Sequence, residues 1–408
     1  MDNNEGLSNT LDILIANTNT IEVLSIVIVV ASMIGIMIYV AVKQAAKDGN
    51  CIKIKNLYPN ESTIRPVEQS SQLSYKINDD TYDTRLRDVY VKASYNSCSA
   101  GDYKDDWVST CALNEVLKQG CRFIDFEIYS VKHSPVVATS TTTDYFTKET
   151  WNSVSFSNVT KIIKNNAFSS DYVPNSNDPL LVHLRFKSND ILMYNKLASI
   201  VQTDLDTFML DNKYTCGYNG EGKKPGNVLD ATFKSNVLKK KVIFIVDGNS
   251  NSTYVDSSFN EFVNLSTSCG DTPTVTEYRT FSAENIENND TLVSLSKAGE
   301  IIVLPDLNIK PKNMDCTSSS KGLFNSGCQI VGMCFQLNDK YLKNYIKYFD
   351  APVNGVTPCA FILKDLSLIN PNTVETYTMP DEMESGTATM TTKYGYTFDY
   401  PTYNKKST

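Results

Sequence analysis

The strongest pattern in the chain is an unbroken apolar run, VLSIVIVVASMIGIMIYVAV from Val23 to Val42, 20 residues without a charge. At 1.5 Å per residue a helix of that length spans about 30 Å, the thickness of the hydrocarbon core of a bilayer. Apolar side chains cover every face of it, including Ile26 to Val30 in series, unlike the one-sided stripe of a helix packed on a soluble core. The preceding residues carry Asp2, Glu5, Asp12 and Glu22 and neither Lys nor Arg, so the basic start of a cleaved signal peptide is missing. The pattern predicts an acidic segment over 1–22 and a transmembrane helix over 23–43 that contacts the lipid bilayer. Lys43, Lys47, Lys53 and Lys55 follow the span, and the positive-inside bias places the C-terminal bulk of this single-pass protein on the cytoplasmic side.

Residues 44–86 are polar, with Pro59, Pro66 and runs such as EQSSQ and NDD, and read as a linker. Short runs rich in Val, Ile, Phe and Tyr then recur: VYVKASY from Val89, RFIDFEIYSV from Arg122, PVVATS from Pro135, PLLVHLRFK from Pro179, KVIFIVD from Lys241, EIIVLPD from Glu300, CQIVGMCFQ from Cys328 and CAFILK from Cys359. Runs of this length with little alternation suit strands covered on both faces. Helical spacing lies between them. One stretch opens at Asp105 and Asp106, carries Trp107, Cys111, Leu113 and Leu117, and closes at Gly120. Another runs from Ser188 to about Met209 with Ile191, Leu192, Leu197, Ile200, Val201, Leu205 and Phe208 as its inner face, and a third from Asn338 carries Tyr341, Leu342, Tyr345, Ile346 and Phe349. Alternating strand and helix over this length predicts one α/β domain, a closed barrel over 87–369 with ligands at the C-terminal ends of its strands. The remainder, 370–408, is rich in Thr, Tyr and Pro and reads as an extended arm.

The 408 residues carry a net charge of −8, which gives no basic footprint for nucleic acid, so DNA and RNA are excluded as expected partners. Only two histidines occur, His133 and His183, which restricts acid-base chemistry near neutral pH. His133 precedes Ser134-Pro135 in a turn and reads as surface. The ten cysteines form no CxxC and no cluster at metal-ligand spacing, and they read as buried, reduced packing residues. Five N-x-S/T sequons begin at Asn60, Asn158, Asn251, Asn264 and Asn289, about what chance gives in a chain this rich in Asn, Ser and Thr, and they decide nothing about secretion.

Four blocks in order, KASYNSC from Lys92, ALNEVLKQGCRFIDFEIYS from Ala112, DPLLVHLRFKSN from Asp178 and GCQIVGMCFQ from Gly327, resemble successive segments of phosphoinositide-specific phospholipase C. They are most similar to the membrane-anchored phospholipase-C-like proteins of large DNA viruses. The resemblance covers most of residues 88–365 and implies a distorted TIM-type (β/α) barrel. It also implies a site. Where the family has a His-Asn pair after its first strand, this chain has Tyr95 and Asn96; where the family has two calcium-binding carboxylates on its second strand, this chain has Asp125 and Glu127. Alternate strand residues face the same way, so these two can share one cation. The second catalytic histidine is replaced by Thr139, and Arg185 stands where the family has a last carboxylate ligand.

Inositol phosphodiester hydrolysis in this family needs one group to deprotonate the ring hydroxyl and another to protonate the leaving alkoxide. Each such group contributes on the order of 10²–10⁴ in rate, and Tyr or Thr at an ordinary pKa does not replace His near pH 7. His183 shares the parity of Arg185 but lies two residues deeper, and reads as a core histidine. A guanidinium reaching Asp125 and Glu127 would supply the charge the metal brings in the family, leaving a vestigial, metal-free pocket of Asn96, Asp125, Glu127 and Arg185. The rival is a weak Ca2+ site on Asn96, Asp125 and Glu127 with Arg185 turned aside. The resemblance therefore implies a catalytically inactive barrel, a structural or docking protein in the internal membrane of a virion with capsid proteins as neighbours. The alternatives are an active phosphoric diester hydrolase on inositol phospholipids and a module that binds lipid headgroups without turnover.

Overall fold

The computed structural model describes residues 3–60, 62–142, 147–216, 227–248, 251–268, 275–284, 289–317, 322–351, 357–371, 383–391 and 397–405. It divides into two units, Met1–Ile52 and Lys53–Thr408. Helix α1 (Asn3–Leu57) contains the apolar run. From Glu22 onward this helix is long and apolar enough to cross a membrane, and its large apolar side chains are exposed, Ile28 at 57% and Ile36 at 63%. Two hydroxyls that lipid would leave unpaired are bonded within the helix: Ser25 Oγ donates to Glu22 O and Ser32 Oγ to Ile28 O, both at 2.7 Å.

Eight parallel strands build the second unit: β1 (Val89–Ser94), β2 (Phe123–Val131), β3 (Leu180–Phe186), β4 (Val242–Val246), β5 (Val263–Ser266), β6 (Val275–Arg279), β7 (Glu300–Leu304) and β8 (Ile330–Met333). Their order runs β6-β7-β8-β1-β2-β3-β4-β5, a nearly closed barrel in which, among the described residues, no ladder joins β5 to β6. Most strands are buried along their whole length, the consequence of side chains filling the barrel on one face and meeting helices on the other. Ser134–Ala138 pairs antiparallel to β2, and Phe361–Leu363 pairs antiparallel to β1, so two of the predicted strands are extra edges rather than barrel staves.

The outer helices begin where short polar side chains cap them. Ser109 accepts from Cys111 N at the start of α2 (Thr110–Lys118), which Gly120 closes at φ +74°. Asp190 accepts from Leu192 N at the start of α3 (Ile191–Leu205), and Asp339 from Leu342 N at the start of α4 (Lys340–Asp350). The inner face of α3 is Met193, Tyr194, Leu197, Ala198, Val201 and Leu205. Leu192 is 57% exposed, so the expected face is rotated, because the helix starts at Ile191 and its second residue points away from the sheet.

Three expectations change. Residues 44–86 are not an irregular linker: the helix continues to Leu57, and Ile64, Val67, Tyr75 and Leu86 beyond it are buried. Within this stretch Ser74–Ile77 and Asp80–Asp83 form a hairpin whose turn, Asn78 and Asp79 at φ 51° and 72°, takes the residue types that tolerate left-handed backbone. The segment read as an extended arm pairs Met383–Thr391 with Thr397–Lys405 in an antiparallel ribbon. Finally, Cys51, Cys111 and Cys216 are each disulfide-bonded and not reduced packing residues, which sequence spacing did not signal. Cys98, Cys121, Cys316, Cys328, Cys334 and Cys359 are free and buried, as packing residues.

Candidate functional site

Alternation along β2 turns Asp125 and Glu127 into the barrel, and the parallel register sets Asp125 beside His183 and Glu127 beside Arg185 on β3. All four are buried. The Arg185 guanidinium spends its donors on the carboxylates. Nε and Nη2 bond Asp125 Oδ1 at 2.9 Å and Oδ2 at 2.7 Å, Nη1 bonds Glu127 Oε1 at 2.8 Å, and Nη2 also bonds Asn96 Oδ1 at 2.8 Å. Asn96 follows β1 in a left-handed turn (φ 44°), which brings its own N–H to Asp125 Oδ2 at 3.0 Å. The second oxygen of Glu127 accepts from Tyr129 Oη at 2.8 Å and Ser140 N at 2.9 Å.

His183 lies beneath this network. Its Nδ1 is 2.8 Å from Asp125 Oδ1 and its Nε2 is 3.4 Å from Glu277 Oε2, the latter an ion-pair distance without hydrogen-bond alignment. Burial alone would lower the pKa of this imidazole, but the Asp125 and Glu277 carboxylates outweigh it and raise it to about 9. The raised pKa favours the imidazolium near pH 7, with Nδ1 donating to Asp125 and Nε2 at ion-pair distance from Glu277. Burial likewise pushes the Asp125 carboxyl upward, and Arg185 and His183 reverse that, holding it well below the usual carboxylate range. On the far wall Glu277 and Arg279 face inward from β6 and complete a cage of three carboxylates and three cations: Asp125, Glu127 and Glu277 against His183, Arg185 and Arg279.

Tyr95 and Thr139 are built into the walls. The Tyr95 ring lies 4.8 Å from the Arg185 guanidinium carbon and 5.9 Å from that of Arg279, and Arg279 Nη1 donates to its hydroxyl at 3.3 Å. Burial raises the pKa of this phenol further above its ordinary value, which keeps it protonated near pH 7 and unable to take up a proton. Thr139 Oγ1 donates to Tyr103 O at 2.8 Å, and the Tyr103 ring packs edge-on against Tyr95. His133 is at the surface, its Nδ1 2.8 Å from Asp190 Oδ2.

The donor set does not fit a calcium ion in this arrangement. A hard divalent cation would need the oxygens of Asn96, Asp125 and Glu127 at about 2.3–2.6 Å, and the guanidinium already stands among them with an N–H on each. Sequence brought Asn96, Asp125, Glu127 and Arg185 into view. It missed Glu277 and Arg279, which sit on a five-residue strand, VTEYR, without an apolar run; the alternation Val275, Glu277, Arg279 was the available signal.

A family model described as phosphatidylinositol-specific phospholipase C, X domain, matches residues 82–244. Among solved structures the chain is similar to PLC21 of S. officinalis, with a TM-score of 0.55 and 18% identity, covering 76% of this chain and 41% of that one. It is likewise similar to PLC21 of L. pealei, with a TM-score of 0.55 and 16% identity over 76% and 41%. The chain thus spans less than half the length of these two proteins. No curated protein matches. The matches define a phospholipase-C-like barrel fold, carried here behind a helix able to span a membrane.

Proposed function

We propose that this protein is a catalytically silent phospholipase-C-like barrel that serves as a membrane-anchored structural or docking protein. The observation that carries this reading is the Arg185 guanidinium, hydrogen-bonded at once to Asn96, Asp125 and Glu127, where phosphodiester chemistry of this kind would place a cation. Neither position expected to move protons holds an imidazole, and His183 is fully buried and committed to two carboxylates. A silent barrel retains a rigid body on a tether, suited to holding neighbours at a bilayer surface. The lysines after the span support a cytoplasmic-side barrel. The resemblance to virus-encoded proteins supports an internal virion membrane, with capsid proteins as neighbours.

The test is release of water-soluble inositol phosphate from phosphatidylinositol vesicles by the full-length protein, with and without calcium. Turnover at the level of a buffer blank is expected. Any calcium-stimulated release that Asp125→Asn abolishes would overturn the reading.

A further inference from the structure

The ribbon that follows the barrel consists of β9 (Met383–Thr391) and β10 (Thr397–Lys405), paired without a bulge from Met383 opposite Lys405 to Thr391 opposite Thr397. Strand β10 runs beside β6 and the helical turn Thr280–Glu284. Among the described residues no third strand joins the ribbon. A two-stranded ribbon is marginal by itself in water, and further strands are what give such a sheet independent stability.

The two outer edges differ. In an antiparallel ladder, opposed residues exchange both backbone hydrogen bonds or neither, and Pro401 has no N–H to give, so its pair with Thr387 is of the second kind. Pro401 therefore falls on the outer edge of β10 and, with Lys405 on the same strand, blunts that edge against another strand. By the same geometry Thr387 turns its N–H and C=O to the outer edge of β9. Strand β9 reads MESGTATMT, with Glu384 as its one charge and neither Pro, Lys nor Arg, so it lacks the devices that keep an open edge from pairing.

We propose that β9 pairs antiparallel with β9 of a second copy of this chain, about a two-fold axis at Thr387, joining two ribbons into one four-stranded sheet. Overlap of the whole strand sets the axis at its central residue, where the outward N–H and C=O of Thr387 meet their own counterparts. The strand suits itself in this register: Met383 falls opposite Thr391, Glu384 opposite Met390, Ser385 opposite Thr389 and Gly386 opposite Ala388. A parallel pairing in register would set Glu384 against Glu384, like charges directly opposed. Copies anchored in one bilayer present the same side of it, and a two-fold axis along the membrane normal relates them without turning either over. The pairing rests on the ribbon alone and holds whether or not the cage is silent.

The experiment is light scattering of the full chain in detergent micelles over a dilution series, with disulfide trapping by copper-phenanthroline. A dimer is expected, and Thr387→Lys, which opposes like charges at the axis, should raise its dissociation constant about fivefold. Thr387→Cys should give more covalent dimer than the parent on a non-reducing gel, because residues in a hydrogen-bonded pair have Cα atoms about 5.5 Å apart, within disulfide reach. Thr389→Cys would stand about 14 Å from its own counterpart and should give no more than the parent. A monomeric parent, a dimer undisturbed by Thr387→Lys, or equal trapping in Thr387→Cys and Thr389→Cys overturns the proposal.

Discussion

Arg185 sits at the point where several buried acceptors converge, and the cost of removing it follows from what it leaves behind. In Arg185→Ala, Asp125 and Glu127 lose their shared partner in a buried site, a change of about 3–5 kcal/mol and roughly a 10 °C fall in melting temperature. Arg185→Lys should recover little of this, because a point charge on a flexible stem does not reproduce four bonds from one planar fork. Millimolar calcium should raise the melting temperature of Arg185→Ala and leave that of the parent unchanged; equal calcium effects in both would mean the guanidinium does not exclude a cation. His183 gives a second test, on pH. Its imidazole titrates near 6.5 unfolded and at about 9 folded, so it contributes about 3 kcal/mol, fully present below about pH 6.5 and lost as pH rises through 9. Glu300, pushed by burial up to about 8, adds a loss of the same sign as pH rises between about 4.3 and 8, so the clean measurement is the difference between the parent and His183→Gln in denaturant midpoint from pH 6 to 10. That difference should shrink toward the alkaline end; a constant gap would show that His183 is not charged. The resemblance to the phospholipase C family brought Asp125, Glu127 and Arg185 into view, and parity along the strand put Asp125 and Glu127 on one face. The depth of His183 was legible as well, but the partner on its far nitrogen lies on a distant strand, and no local pattern reports a pairing across a barrel.

At the scale of elements, the strands that could be read are those whose burial on both faces leaves a long apolar run, such as PLLVHLRFK, which became β3. Strands β5 and β6 escaped because VNLS and VTEYR are short and half polar; their neighbours β4 and β7 supply the ladders that hold them. The hairpin at 74–83 escaped for a different reason, since its two four-residue strands and the polar turn between them carry no apolar run. One glycine links strand packing to the site. A Cβ on Gly332 of β8 would stand 3.1 Å from Leu304 Cδ2 and 3.3 Å from Tyr95 Cβ. Leu304 can yield by changing rotamer, whereas Tyr95 is held by its ring contact with Arg185 and the bond from Arg279. Gly332→Val should therefore cost about 1–3 kcal/mol by overpacking, while Gly332→Ala costs less. Measured denaturation midpoints that match the parent for both variants would show that β8 and Tyr95 are not in register as described.

For the whole molecule, the question is what one helix contributes to a barrel that already has its own core. The barrel unit buries its apolar side chains internally, whereas α1 from Val23 to Val42 leaves nearly all of its own exposed. In water an exposed apolar surface of that size is unfavourable at about 25 cal/mol per Å², and a bilayer removes the penalty without any protein partner. The run was legible because membrane insertion needs only local composition, unlike the cage, which needs eight strands to close first. The helix should therefore hold the full chain in the membrane pellet through an alkaline carbonate wash, which strips proteins bound by charge alone. Each Arg placed near the middle of the span costs about 2.5–3.5 kcal/mol on insertion scales, so Ile28→Arg with Ile34→Arg together should shift the chain toward the soluble fraction. Replacing Lys43 and Lys47 by Gln should leave extraction unchanged, because those side chains bias orientation and do not supply the anchoring free energy. A parent chain released by carbonate, or a double-arginine variant retained like the parent, would mean that α1 is held by protein contacts and not by lipid.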